Sequence, residues 1–169
     1  ISYNRPTAKV VSAPAQDTTD TTTTEAPTTE APTTEAPTTE APVTEAPTSD
    51  LGQQIANFAC QFVGNPYVWG GTSLTNGADC SGFVQSVYKN FGYSLPRTCT
   101  PQSNAGTAVS LAALAPGDLV FYDHGTGSCE HVGIYIGNGQ IVHASSSRTG
   151  IKISNVNYST PFKACRIVN

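Results

Sequence analysis

Hydrophobic residues are distributed unevenly along this chain. The first 50 residues are dominated by Thr, Glu, Ala and Pro and contain one aromatic residue, Tyr3. From Leu51 onward, apolar residues recur first at helical spacing and then in short runs and alternations. This order predicts an α+β fold, in which N-terminal helices pack on an antiparallel sheet.

Two helices are predicted at the start of this region. The first ends before Gly64 and has an apolar face formed by Leu51, Ile55, Phe58, Ala59 and Phe62. The second starts after Asp79, its expected N-cap, and ends near Gly92. The turn-forming residues 70–78 predict a loop between them, and residues 101–106 predict a short helical turn.

The remainder of the chain predicts strands. Apolar runs and alternations mark five of them, at residues 119–122, 131–136, 140–144, 151–153 and 164–168. The sequence Gly137-Asn138-Gly139 is a strong signal for a hairpin joining the second and third of these strands.

Charge divides the chain at the same place as hydrophobicity. Residues 1–50 carry a net charge of −6, whereas residues 51–169 carry +2, which gives no reason to expect nucleic acid as a partner.

The Thr-Glu-Ala-Pro unit recurs every five residues within 18–50, which predicts a disordered linker because regular proline forbids a helix. We interpret residues 1–17 as a tail, the end of an upstream domain, and residues 51–169 as one globular domain. No apolar run is long enough to cross a membrane.

Cys80 is the first candidate for chemistry. It is expected in the first turn of the second helix, where the positive helix end favours a nucleophilic thiolate. The alternative for any free cysteine is a small buried apolar residue, which suits the other four better: Cys60, Cys99, Cys129 and Cys165. Five cysteines fit either a catalytic thiol with two disulfides or a catalytic thiol with four reduced core thiols.

A thiol nucleophile needs a base, and the base needs a group that orients it. His131 and His143 lie on the two arms of the predicted hairpin. A three-residue loop, or a bulge with the same effect, would place both imidazoles on one face as diagonal neighbours, whereas a two-residue loop would separate them. Either histidine fits the role of base on this argument, and His124 is expected to be an idle loop residue.

Six segments occur in order and together resemble the NlpC/P60 family of papain-like cysteine peptidases. They are YVWGG at 67–71, DCSGFVQ at 79–85, LPRT at 95–98, PGDLVF at 116–121, HVGIYIG at 131–137 and IVHA at 141–144. The resemblance covers residues 51–169 and none of residues 1–50. It implies cleavage of peptidoglycan stem peptides between D-γ-glutamate and the third-position diamino acid.

The resemblance also implies roles for individual residues. It makes Cys80 the nucleophile, His131 the base and His143 the third member of a Cys-His-His triad. It places Tyr67 beside the thiol, near the oxyanion and substrate. It also assigns Asp79 and Ser81 to the amino end of the stem peptide.

Two positions depart from the family pattern or are locally specific. Cys99 stands where the family commonly has serine, which makes it either a disulfide partner, with Cys129 as one candidate, or a small buried residue. The loop at 123–130 is specific to this chain, and we expect it to influence substrate choice.

The expected protein is a secreted, wall-associated hydrolase that acts on peptidoglycan stem peptides without metal or cofactor, as a monomer tethered by its linker to an upstream module. A muropeptide-binding protein with little turnover and a thiol amidase or acyl transferase are the alternatives. A zinc hydrolase using Cys80, His124, Cys129 and His131 is a further alternative, although their spacing fits no compact zinc motif.

Overall fold

A computed structural model of the chain describes residues 47–169. The predicted tail at 1–17 and the predicted linker up to residue 46 lie outside the described residues. The elements in chain order are α1 (Pro47–Cys60), β1 (Thr72–Ser73), β2 (Gly77–Ala78), α2 (Cys80–Asn90), α3 (Cys99–Gln102), β3 (Thr107–Ala108), β4 (Leu119–Tyr122), β5 (His131–Gly137), β6 (Gln140–Ser146), β7 (Gly150–Asn155) and β8 (Pro161–Arg166). No helix within residues 47–169 has the length and apolarity needed to cross a bilayer.

The two long helices form where the apolar periodicity predicts them. Helix α1 begins at Pro47, four residues before the predicted domain start, so residues 47–50 belong to a helix and not to a linker. Proline is tolerated in the first turn of a helix because its missing N–H would have no partner there. Helix α2 is capped by Asp79, whose carboxylate accepts the Gly82 N–H at 2.8 Å, and the chain leaves it through Gly92 at a φ of +84°.

The main sheet has six antiparallel strands in the order β3-β8-β4-β5-β6-β7. Helices α1 and α2 pack against its interior strands β5 and β6. The core between these layers contains fully buried side chains from both, including Ile55, Phe83, Tyr88, Phe121, Ile134 and Val142. This arrangement confirms the predicted α+β class and places the start of α2 against β5.

The β5–β6 hairpin has the predicted facing, and it is produced by a bulge, the second of the two predicted alternatives. Gly137 pairs with Gln140, so the loop has two residues, and the register then shifts by one between Gly137 and Tyr135. Beyond this bulge, Ile134 pairs with Val142, which is the register that a three-residue loop would give. The bulge therefore keeps His131 and His143 on the same face.

Several short elements differ from their predictions. The loop at 70–78 contains the small β1–β2 ladder, and the short helix α3 starts at Cys99 instead of residue 101. Strand β8 begins at Pro161, three residues before the predicted start, because its first residues pair with the end of β4, where Pro161 faces Tyr122. The pairing of β8 with β3 and β4 joins distant segments, which a local pattern does not reveal.

Candidate active site

Cys80 is the first residue of α2 and faces the start of β5. Its Sγ lies 4.0 Å from the carbonyl oxygen of Glu130, the residue before His131. The Val132 N–H, on the other side of His131, interacts with the same thiol. The thiol therefore lies against the backbone on both sides of His131.

A close backbone contact brings the cysteine to this position. The Gly71 carbonyl oxygen accepts the Asp79 N–H at 3.1 Å and lies against the Cα of Gly82. A Cβ on Gly82 would come within 2.1 Å of that oxygen, so only glycine fits two residues after Cys80. The loop before the helix and the first turn of the helix are held together at this point.

Asp79 is held by several donors at once. Its Oδ1 accepts the Gly82 N–H and Arg97 Nη1 at 2.8 and 2.9 Å, and its Oδ2 accepts the Gly70 N–H and Arg97 Nη2 at 2.9 and 2.7 Å. Burial alone would raise the pKa of this carboxyl, but the Arg97 guanidinium and the backbone donors hold it below its usual range. The Ser81 hydroxyl donates weakly to Asp79 at 3.4 Å and accepts Arg97 Nη1 at 3.1 Å. Both oxygens of Asp79 are thus already used, and its predicted contact with the amino end of a stem peptide stays a prediction.

The two imidazoles on the hairpin are in direct contact. His131 Nε2 lies 2.6 Å from His143 Nδ1, and the ring planes are nearly perpendicular, at 80°. His143 is completely buried and His131 is 8% exposed. Since His131 uses Nε2 to contact His143, its Nδ1 is the nitrogen left for another partner. This is the geometry of a base and its orienting group.

Burial makes the neutral forms of these groups the resting ones. It lowers the pKa of His131 to about 4, with a smaller contribution from nearby His124, and it lowers the pKa of His143 to about 3. Burial and the Asp79 carboxylate raise the pKa of the Cys80 thiol, although backbone N–H groups partly oppose them. The expectation that the helix end lowers this pKa was therefore wrong, because desolvation outweighs the helix end. A neutral thiol in this site needs a base before it can react.

Tyr67 and the cleft complete the surroundings of the thiol. Burial, and after it the proximity of Cys80 and Asp79, raises the pKa of the Tyr67 phenol, which locates that side chain near the cysteine. A cleft of about 780 Å³ opens beside Cys80, lined by Ser81, Arg97 and the 86% exposed Trp69 among others. Its size suits a short peptide or a comparable ligand.

The far wall of the cleft is fixed by a disulfide. Cys99, at the start of α3, is bonded to Cys129 near the end of the 123–130 loop, and both residues line the cleft. Cys99 was expected to be either a disulfide partner or a small buried residue, and the structure shows the disulfide. Cys129 is consequently removed from the zinc ligands considered from the sequence.

Sequence reasoning missed two side chains that surround the histidine pair. Tyr158, on the β7–β8 loop, packs its ring 5.1 Å from the His143 ring and 6.4 Å from the His131 ring. Ser154, on β7, places its hydroxyl 2.9 Å from His143 Nε2. Neither residue belongs to a recognisable motif. The alternation of side chains along β7 is the one sequence signal that indicates which face of the sheet carries Ser154.

Comparison with known proteins assigns the family. The NlpC/P60 family model matches residues 64–168. A gamma-D-glutamyl-L-lysine dipeptidyl-peptidase of Bacillus cereus is 42% identical over 105 residues, covering 61% of this chain and 31% of the relative. A gamma-DL-glutamyl hydrolase of Bacillus subtilis is 47% identical over 111 residues, covering 64% of this chain and 26% of the relative. The chain thus matches about a third or less of the length of these relatives.

A solved structure agrees with the sequence matches. The crystal structure of the NlpC/p60 domain of peptidoglycan hydrolase SagA superposes with a TM-score of 0.62 at 36% identity, covering 68% of this chain and 97% of that domain. The chain therefore belongs to the NlpC/P60 family of cysteine peptidases.

Proposed function

We propose that residues 51–169 form a peptidoglycan hydrolase domain that cuts stem peptides at the bond between D-γ-glutamate and the third-position diamino acid. The observation that carries this proposal is the 2.6 Å contact between His131 Nε2 and His143 Nδ1, beside the thiol at the start of α2. The name of the Bacillus cereus relative, a gamma-D-glutamyl-L-lysine dipeptidyl-peptidase, supports the choice of bond.

Cys80 acts as the nucleophile in this proposal, and His131 acts first as base and then as acid. His131 Nδ1 takes the thiol proton as Cys80 Sγ attacks the γ-carbonyl carbon of the glutamyl residue. The tetrahedral intermediate collapses as His131 gives that proton to the leaving amine, which releases the diamino acid portion. Water, deprotonated by His131, then attacks the thioester, and the proton returns to the departing thiolate.

His143 keeps His131 in the productive orientation. Its Nδ1 accepts the His131 Nε2–H, which leaves the His131 Nδ1 lone pair free to take the thiol proton. The same contact stabilises the imidazolium that forms in the transition state. Complete burial of His143 holds its ring in place.

The developing oxyanion needs donors close to Cys80. As the first residue of α2, Cys80 has a backbone N–H without an intrahelical acceptor, at the positive end of the helix. We assign this N–H and the Tyr67 hydroxyl to the oxyanion. Asp79 and Ser81 line the same cleft, and they are assigned to the amino-terminal side of the stem peptide.

A wall-associated location outside the cell follows from the proposed substrate. The presence of a disulfide within residues 47–169 supports an oxidising compartment. In this proposal residues 18–46 connect the catalytic domain to an upstream module, and the catalytic domain acts as a monomer.

The experiment that tests this function is digestion of purified peptidoglycan by the full chain. Walls with L-lysine and with meso-diaminopimelate at the third position are incubated with wild type and with Cys80→Ala, and the fragments are identified by mass spectrometry. We expect Cys80-dependent fragments that end at D-glutamate. Cleavage at another bond would retain the thiol mechanism and reject the assigned specificity, whereas binding without products from either wall would favour a muropeptide-binding protein.

A further inference from the structure

The hydrogen-bonded chain of the active site does not end at His143. Its Nδ1 faces His131 Nε2 at 2.6 Å, and its Nε2 lies 2.9 Å from the Ser154 Oγ. His143 is fully buried, so these two contacts use both nitrogens of a ring that water does not reach. The three side chains form a continuous line from the hairpin to β7.

The sheet register explains why Ser154 reaches this position. His143 on β6 pairs with Lys152 on β7, and Ser154 lies two residues further along the same strand. Residues two apart in a strand share a face, so Ser154 is the diagonal neighbour of His143 on the face that carries the imidazoles.

The direction of the protons along this line decides whether His131 can act as a base. A neutral imidazole carries one N–H, whereas a serine hydroxyl can donate or accept. If the Ser154 hydroxyl accepts, His143 carries its proton on Nε2, its Nδ1 accepts from His131 Nε2–H, and His131 Nδ1 is left with a lone pair. If the hydroxyl instead donates, both histidines carry their protons on Nδ1, and His131 has no lone pair for the thiol proton.

We infer that Ser154 is a positioning residue that accepts a hydrogen bond from His143 Nε2 and thereby fixes the tautomers of both imidazoles in the form that lets His131 deprotonate Cys80. This inference rests on the proposed function only for the identity of the reaction. The tautomer assignment depends on the geometry of His131, His143 and Ser154 alone. Ser154 does not touch the reacting atoms.

The inference is tested with Ser154→Ala, which removes the acceptor, and Ser154→Thr, which restores a hydroxyl at the same atom. Ser146→Ala is the matched control, since Ser146 lies on the adjacent strand β6 and its hydroxyl pairs with Thr149 at 2.9 Å instead of an imidazole. Three readouts are used on the full chain: the tautomers from long-range ¹H–¹⁵N spectra, the rate of Cys80 alkylation by iodoacetamide, and kcat and KM on a stem peptide.

We expect both imidazoles of the wild type to carry the proton on Nε2. Ser154→Ala should shift His131 and His143 toward the Nδ1–H form and lower kcat and the alkylation rate about tenfold, the value of one net hydrogen bond, with KM unchanged. Ser154→Thr should restore these values, and Ser146→Ala should match the wild type.

The inference would be overturned if Ser154→Ala had the same tautomers and the same rates as the wild type. Loss of rate with unchanged tautomers would also overturn it, because Ser154 would then act only through packing. The spectra and the alkylation need no peptidoglycan, so they decide this inference even if no stem peptide is cleaved. Absence of cleavage with the expected tautomers would therefore count against the proposed function alone.

Discussion

The Cys99–Cys129 disulfide should contribute a large share of the stability of this domain. It connects the start of α3 to the loop that leads into β5, across a sequence separation of 30 residues. The perturbation is the double variant Cys99→Ser/Cys129→Ser, which removes the bond without leaving an unpaired thiol next to Cys80.

The magnitude follows from the loop that the bond closes. For a separation of 30 residues, the loss of chain entropy in the unfolded state corresponds to roughly 3–4 kcal/mol. For a domain of about 120 residues, each kcal/mol shifts Tm by about 4 °C, so the double variant should melt roughly 12–16 °C below the wild type.

Thermal unfolding followed by circular dichroism measures this shift. The Tm of the wild type should fall by the same amount when a reductant is added. The Tm of the double variant should not change on this addition. Cys60→Ser is the control, because Cys60 is a partly buried free thiol and its replacement leaves the bond intact. A shift of less than about 3 °C in the double variant would refute the reasoning, since the bond would then constrain little of the unfolded chain.

Three further predictions concern the site. Asp79→Ala removes a helix cap and the partner of Arg97, so it should lower the free energy of unfolding by about 2 kcal/mol at pH 7. Since the pKa of Asp79 is lowered in the fold, that difference should vanish in denaturant titrations as the pH falls below about 4, and a difference that persists at pH 2 would contradict this. The acid limb of kcat/KM should lie near pH 4, set by His131, and a midpoint at 6.5 would contradict the burial argument. Tyr158→Ala should lower kcat several-fold by exposing the ring of His143 to water, whereas Tyr158→Phe should retain activity, and equal activity of the two variants would exclude a packing role.

Local patterns in the sequence were sufficient for the main elements of the fold. The apolar periodicity predicted α1 and α2, and the Asp79 cap and the Gly92 exit lie where residue type alone places them. The facing of His131 and His143 was also predicted, but the sequence left open whether an odd-numbered loop or a bulge produces it. A three-residue loop and a two-residue loop with a bulge give the same facing, so the pattern of side chains does not distinguish them.

The parts that the sequence did not reveal depend on contacts between distant segments. Strand β3 has only two residues, both exposed, and exists because it pairs with the end of β8. Ser154 lies in an alternating strand, where a polar residue normally indicates a solvent-facing position. Its contact with His143 becomes visible only when the β6–β7 register is known.

The electrostatics of Cys80 differ from the sequence expectation for a related reason. A cysteine at a helix N-terminus suggests a stabilised thiolate. In the structure, the side chain is also desolvated and adjacent to the Asp79 carboxylate, and both raise the pKa of the thiol. The burial of a group depends on the packing of the whole domain, which residue type and helix position do not specify.

The most direct test of the central claim is the rate at which Cys80→Ala hydrolyses a defined stem peptide, L-Ala-γ-D-Glu-L-Lys, compared with wild type and with Cys60→Ser. If Cys80 Sγ forms the thioester, the rate of Cys80→Ala should fall by about 10³-fold or more, while Cys60→Ser keeps the wild-type rate. If Cys80→Ala instead retains more than a few per cent of the wild-type rate at the same bond, Cys80 is not the nucleophile and the proposed mechanism is wrong.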